Sequence, residues 1–161
     1  MIFAANGLRL VLSETAREQM QQHRQLKHAD PEAGGVMLGR ILLDGADVIV
    51  DGITRPTTRD RASRFNFFRN KTSAQPAVDH AWTVSEGTCI YLGEWHTHPE
   101  DDPHPSRQDL ANWGTILRKA RFEQPWLFFV IVGRTLTKAW IGNREKAEIV
   151  LLPASTTGSP L

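Results

Sequence analysis

Hydrophobic and polar positions alternate only loosely at the start of the chain, where Leu8-Arg9-Leu10-Val11-Leu12 predicts a short strand. From Ser13 the spacing becomes helical. Ser13 caps a polar helix reaching about His28, with Ala16, Met20 and Leu26 as candidates for its inner face and Asp30-Pro31 as its stop. Val36 to Leu43 and Asp47 to Ile53 read as two strands joined by an Asp44-Gly45 turn. Thr54 to Arg64 is polar and turn-rich, after which Phe65-Asn66-Phe67-Phe68 restores apolar character. Pro76 to Ser85 predicts a helix that turns Val78 and Trp82 inward and ends before Gly87. Thr88 to Trp95 reads as a strand, and Ser106 to about Arg121 as a helix with Leu110, Trp113, Leu117 and Ala120 on one face. Trp126 to Val132 is apolar without interruption, the pattern of a strand covered on both sides. Thr137 to Ile141 and Ala147 to Leu152 complete the set. The expected architecture is an α/β domain over residues 1–152, a mixed, mainly antiparallel sheet with flanking helices. Residues 153–161, rich in Ser, Thr, Gly and Pro, form an expected flexible C-terminal tail.

Composition narrows the function classes. A chain of 161 residues is about one domain, long enough to bury a real core. Its net charge of +1 argues against a general polyanion-binding role, although Arg55, Arg59, Arg61, Arg64 and Arg69 concentrate in one segment. Asp60 interrupts that cluster, which reads as a solvated loop or as a surface for an acidic partner. The single cysteine, Cys89, excludes an internal disulfide and reads as a buried thiol, since no basic neighbour in sequence activates it. No stretch approaches the ~20 apolar residues needed to cross a bilayer, and no signal peptide is evident, so the expected location is cytoplasmic. His23 and His28 read as solvated helix residues, with no acid or cysteine spaced to join them.

The chemistry is concentrated between Trp95 and Asp109. In an extended segment, residues two apart project to one side, so His96 and His98 can aim two imidazoles at one ion. Pro99 then turns the chain out of the strand. Ser106 and Asp109 share a helix face. Taken alone they are also a variant of the capping box, with an acid in the favourable first turn. Two imidazoles and a carboxylate suit zinc, which in catalytic sites keeps a fourth position for water. Asp101, Asp102 and His104 in the intervening loop could compete as ligands but read as solvent-facing residues or as the rim of a substrate channel, because the motif already supplies three ligands. Gly34-Gly35 alone would read as turn chemistry.

His-x-His-Pro followed by Ser-x-x-Asp, as His96, His98, Ser106 and Asp109 stand here, resembles the signature of the JAMM (JAB/MPN) zinc metalloproteases. That family also carries an upstream glutamate before a pair of glycines, and Glu32-Ala33-Gly34-Gly35-Val36-Met37-Leu38-Gly39 fits that context. The similarity runs from about Glu32 to Val132. It implies a cytidine deaminase-like fold and one catalytic Zn²⁺ ligated by His96, His98 and Asp109. It further implies Glu32 as general base on the water at the zinc, and Ser106 as a hydrogen-bond donor to the oxyanion. The implied substrate is an isopeptide bond between a Gly-Gly-type C-terminus of a ubiquitin-like modifier and a lysine. The compact length and Tyr91-Leu92-Gly93-Glu94-Trp95-His96-Thr97-His98-Pro99 also resemble the small bacterial JAB proteins of conjugative elements and cyclic-oligonucleotide antiphage (CBASS) operons. The partner so implied is a conjugated cGAS-like nucleotidyltransferase with an extended C-terminal tail, and neither nucleic acid nor membrane.

Two other function classes share part of this pattern. A zinc deaminase shares the metal-activated water and a glutamate but needs a Pro-Cys-x-x-Cys pair, which one cysteine cannot supply. A non-catalytic adaptor would use the fold only to dock a partner, and nothing at Glu32 suggests it.

Overall fold

The computed structural model describes residues 1–43, 47–70 and 72–155; the expected Asp44-Gly45 turn and residues 156–161 of the tail lie outside them. Its main feature is an eight-stranded sheet in the order β1-β2-β4-β3-β7-β8-β9-β10. The strands are β1 (Ile2–Ala5), β2 (Leu8–Leu12), β3 (Gly34–Ile41), β4 (Asp47–Ile53), β7 (Ile90–Thr97), β8 (Trp126–Val132), β9 (Thr137–Asn143) and β10 (Glu148–Leu152). β5 (Arg61–Ser63) and β6 (Asn66–Phe68) form a separate hairpin. Only β2 with β4 and β7 with β8 pair in parallel, so the sheet is mixed and mainly antiparallel, as expected. Helices α1 (Glu14–Gln21), α2 (Gln75–Val84) and α3 (Arg107–Lys119) flank it.

Each strand's side-chain alternation decides which helix it meets. In β8, Phe128, Val130 and Val132 join the core around Ala16 and Met20 of α1, while Leu127, Phe129 and Ile131 pack under Trp113 and Leu117 of α3. A strand covered on both faces has no polar face, which is why 126–132 reads as one apolar run. α2 covers the neighbouring part of α3's side, over Val36, Leu38 and Tyr91.

Several elements depart from the sequence reading. β1 was not expected, yet Asn6 and Gly7, both at positive φ, close a two-residue hairpin of the Asn-Gly kind. α1 ends at Gln21, well short of His28, and Leu26 is exposed rather than internal. The reason is Gln25, whose buried amide donates to the carbonyls of Asp30 and Arg64 and so draws the chain out of the helix. His28 is exposed, but His23 is half-buried, its ring 5.7 Å from that of Trp95. Cys89 is half-buried, and burial with the nearby Asp51 charge pushes its thiol up, away from nucleophilic use.

β3 starts at Gly34, so the glycine pair lies inside a strand and does not serve as a turn. A Cβ at Gly34 would come 2.6 Å from the Trp95 carbonyl oxygen, and one at Gly35 would come 2.2 Å from the Thr54 carbonyl oxygen. On α2, Val78 is partly buried but Trp82 is 57% exposed, because Ala74, Val78 and Ala81 form the stripe that meets the sheet. On α3, Trp113 and Leu117 are buried and Leu110 is exposed. Each residue turns about 100° around the axis, so aiming Asp109 at the histidines carries Leu110 outward. Residues 153–155, expected to fray, instead hydrogen-bond to β1 and bring the two edges of the sheet together.

Candidate metal centre and active site

β7 lies in the middle of the sheet, with β3 antiparallel on one side and β8 parallel on the other. Alternation sends Trp95 into the α1 core and His96 to the α3 side, where its ring meets that of Trp113 edge-on at 6.1 Å. His98 follows the strand, its N–H donating to the Val132 carbonyl at 3.0 Å. Trp113 in turn stacks on Phe129, ring centroids 4.6 Å apart, and this holds the first turn of α3 over the strand end.

The outcome is convergence. His96 Nε2 and His98 Nε2 stand 3.0 Å apart. Asp109 Oδ1 lies 3.4 Å from His96 Nε2, and Oδ2 lies 3.3 Å from His98 Nε2. A tetrahedral ion with bonds of about 2.0–2.1 Å separates its ligands by about 3.3 Å. The two imidazole nitrogens and the two Asp109 oxygens thus lie close to the ligand spacing of such an ion, and with one ligand atom from each residue the three stay within 4.8 Å of one another, a cluster able to hold a metal. Asp101, Asp102 and His104 do not join it. Asp101 pairs with Arg134 through both oxygens at 3.0 Å, Asp102 pairs with Lys138, and the His104 ring meets Lys138, which ties the loop to the start of β9.

Glu32 reaches the same point from another element. Its N–H donates to the Ser63 carbonyl at 2.8 Å, and the next residue is clamped to the metal loop. Ala33 N–H donates to Thr97 Oγ1 at 2.9 Å, Thr97 N–H donates to the Ala33 carbonyl at 2.8 Å, and the Thr97 hydroxyl donates to Gln25 Oε1 at 3.2 Å. Glu32 is 4% exposed, with Oε1 3.8 Å from His98 Nε2. Ser106 is the N-cap of α3. Its Oγ accepts from Asp109 N–H at 3.1 Å, while Asp109 Oδ2 accepts from Ser106 N–H at 2.7 Å, a complete capping box. The structural and chemical readings of this pair coexist, because a hydroxyl that accepts a cap bond still has its own proton to donate.

Sequence reasoning missed Thr97 and Gln25, the clamp just described. Thr97 carried a signal: the middle residue of His-x-His must face the opposite side of the sheet, toward the loop that bears Glu32. Gln25 carried none.

Burial pushes the Glu32 carboxyl up to about 8, with the Asp109 and Glu100 charges adding to the effect and His98 opposing it. Burial alone would lower His98, but the Asp109 hydrogen bond and the Glu32 and Glu100 charges raise it. Burial would raise Asp109, but hydrogen bonds with His96, His98 and Ser106 hold it well below the usual carboxylate range. For Glu32 and His98 the folded values exceed the unfolded ones, so the stability they contribute is present at low pH and lost as pH rises. For Glu32 that loss spans the interval from its ordinary value of 4.5 to about 8. Chelator-treated protein is therefore expected to lose thermal stability between about pH 5 and pH 8, and Glu32→Gln to flatten the slope. Melting temperatures across that range test it; a slope unchanged by the substitution would refute the assignment.

A groove of about 620 Å³ runs from His96 and Asp109 between α3 on one side and β6 with α2 on the other. Its lining includes Arg69 and Glu94, whose Nη2–Oε1 ion pair of 2.5 Å is largely withdrawn from solvent. Arg69 is thus not the solvated loop residue expected; Arg55, Arg59 and Arg61 are exposed, and Arg64 is half-buried, donating to the Lys27 and His28 carbonyls. Glu94 was legible as a residue two before His96, on its face; its partner was not. Removing one member of such a pair strands a buried charge. Arg69→Met is expected to cost about 3 kcal/mol. Arg40→Met, which breaks the exposed 2.7 Å pair with Asp51, is expected to cost less than about 1 kcal/mol. Urea denaturation of both variants checks the contrast.

Comparison with known proteins meets this geometry from outside. The family described as prokaryotic homologs of the JAB domain matches residues 13–145. The chain belongs to the prokaryotic JAB family. Among its relatives, a CD-NTase/cGAS isopeptidase from Pseudomonas aeruginosa (strain BWHPSA011 / Pa011) is 40% identical over 98% of this chain and 92% of that one. A CD-NTase/cGAS isopeptidase from Vibrio cholerae serotype O1 is 35% identical over 83% of this chain and 80% of its own. A probable metalloprotease from Sinorhizobium fredii is 28% identical over 93% of each. The solution structure of protein DSY2949 from Desulfitobacterium hafniense shares the fold, with a TM-score of 0.62 and 19% identity over 89% of this chain and 90% of that one. This JAB protein is a metallopeptidase of the deconjugating, isopeptidase type, and its His-His-Asp cluster could hold the metal that the family implies. Among the described residues no helix is long and apolar enough to cross a membrane.

Proposed function

We propose that this chain is a zinc-dependent isopeptidase that releases the C-terminus of a ubiquitin-like modifier, or of a conjugated cGAS-like nucleotidyltransferase, from the amine to which it is joined. The second substrate is the narrower reading and is supported by the names of the relatives. The observation that carries the chemistry is the spacing of His96, His98 and Asp109 at 3.0–3.4 Å with Glu32 beside them. Two nitrogens and one carboxylate oxygen suit zinc. A zinc ion there would polarise the scissile carbonyl and make water acidic enough to lose a proton near neutral pH.

The protein's own groups do the rest. His96 and His98 arrive rigidly, on the last residues of a central strand and just beyond it. Asp109 arrives on a capped helix whose position Trp113 sets. Glu32 takes a proton from the attacking water and later delivers it to the departing amine, a shuttle that needs one carboxylate in a dry site. The Ser106 hydroxyl donates to the oxygen that gains charge as the carbonyl becomes tetrahedral. The extended tail lies in the groove over β7, with its terminal carbonyl at the metal end. Catalysis is read as the work of a single domain over residues 1–152.

The test is incubation of purified protein, with and without chelator, with a conjugate of a candidate tail to a lysine. Metal analysis and mass spectrometry of the new termini provide the readouts. One zinc per chain and chelator-sensitive cleavage at the amide support the reading; cleavage indifferent to chelator, or a chain that retains no metal, refutes it.

A further inference from the structure

We propose that Lys119 and Arg121 form a specificity subsite that selects substrate tails carrying an acidic residue about four to six positions before the cleaved bond. This deepens the isopeptidase reading and rests on it. The groove has a charged composition that the chemistry at its metal end does not use. Along α3 the residues that line it, Asp109, Asn112, Trp113, Thr115, Ile116 and Lys119, form one face of the helix. That face begins at a metal-cluster carboxylate and ends at a cation, with Arg121 just beyond. Midway, Arg69 and Glu94 neutralise each other. Among the described residues neither Lys119 nor Arg121 is paired with a carboxylate, and both are exposed.

Distance sets the position. Lys119 stands ten residues after Asp109 on α3, a rise of about 15 Å at ~1.5 Å per residue. An extended tail advances about 3.3 Å per residue, so four or five residues separate the two ends, and Arg121 extends the reach by one more. Basic residues in a last helical turn often do no more than offset the helix dipole. Arg118 has that position too, but its Nη2 donates to Thr115 Oγ1 at 3.3 Å and it is not part of the groove wall. It is the internal control.

The experiment uses metal-loaded full-length protein and a folded carrier bearing a ten-residue neutral tail joined by an amide to a lysine side chain. One Asp is moved through each position of the tail. Aspartate four to six positions before the scissile carbonyl is expected to lower KM about two- to fivefold, with kcat unchanged and the advantage shrinking as salt is raised. Lys119→Glu combined with Arg121→Glu should reverse the preference, favouring Lys at those positions, while Arg118→Glu leaves the profile as it was. A flat profile, or one that the double substitution does not move, overturns the subsite. Absence of chelator-sensitive cleavage across the whole set, including the all-neutral tail, overturns the isopeptidase reading itself and this proposal with it.

Discussion

Glu32→Gln is expected to leave the metal content unchanged and to lower kcat by about 10³-fold, which corresponds to about 4 kcal/mol of transition-state stabilisation. The amide preserves the shape of the side chain and its place beside His98, but it can neither accept the water proton nor return it to the amine. The fold tolerates the change well, because burial already favours the neutral form of this carboxyl, pushed up to about 8 in the metal-free protein. A divalent ion held by His96, His98 and Asp109 would oppose that preference, since a nearby positive charge favours the carboxylate. The acidic limb of the pH–rate profile should therefore vanish in the variant. Single-turnover cleavage within about tenfold of the parent would remove Glu32 from the role of base.

Asp109→Ala is expected to abolish both stoichiometric metal and cleavage. The side chain has two duties, because Oδ2 receives the Ser106 N–H at 2.7 Å while both oxygens face the imidazoles at 3.3–3.4 Å. Loss of the capping box costs about 1 kcal/mol of stability, a deficit that Ser106→Ala shares. Metal affinity separates the duties. Asp109→Ala should weaken it by more than the ~100-fold that losing an outer-shell partner costs, whereas Ser106→Ala should retain the ion and lose rate alone. Competition against a chromophoric chelator measures the difference. Equal metal retention in the two variants would mean that Asp109 is a cap and nothing more.

The second expectation begins from residues that local pattern singles out. His96 and His98 are separated by the repeat of a strand, and Ser106 and Asp109 by that of a helix, so each pair shares a side before any tertiary structure is considered. The same local logic accounts for β8, where seven consecutive apolar residues leave only a strand buried on both faces. It also accounts for the Ser13 and Ser106 caps and for the termination of α2 at Val84, just before Gly87, whose φ is positive. Where local pattern failed, a contact from far along the chain outweighed it. Nothing between Gln21 and His28 forbids a helix. The interior needs the Gln25 amide for backbone groups of Asp30 and Arg64, and an unsatisfied buried polar group costs more than a few residues of helix propensity provide.

Sequence alone therefore determined which side chains could act together within one strand and one helix, because 3.6 and 2 are fixed by backbone geometry. Tertiary structure decided what no periodicity encodes. It set Glu32 against His98 across 66 positions through the Ala33–Thr97 clamp, hid Arg69 against Glu94, and laid the cations at the end of α3 along the groove. Those relations depend on how the chain returns upon itself, and the energy that selects them is shared among distant residues, each ordinary in its own neighbourhood.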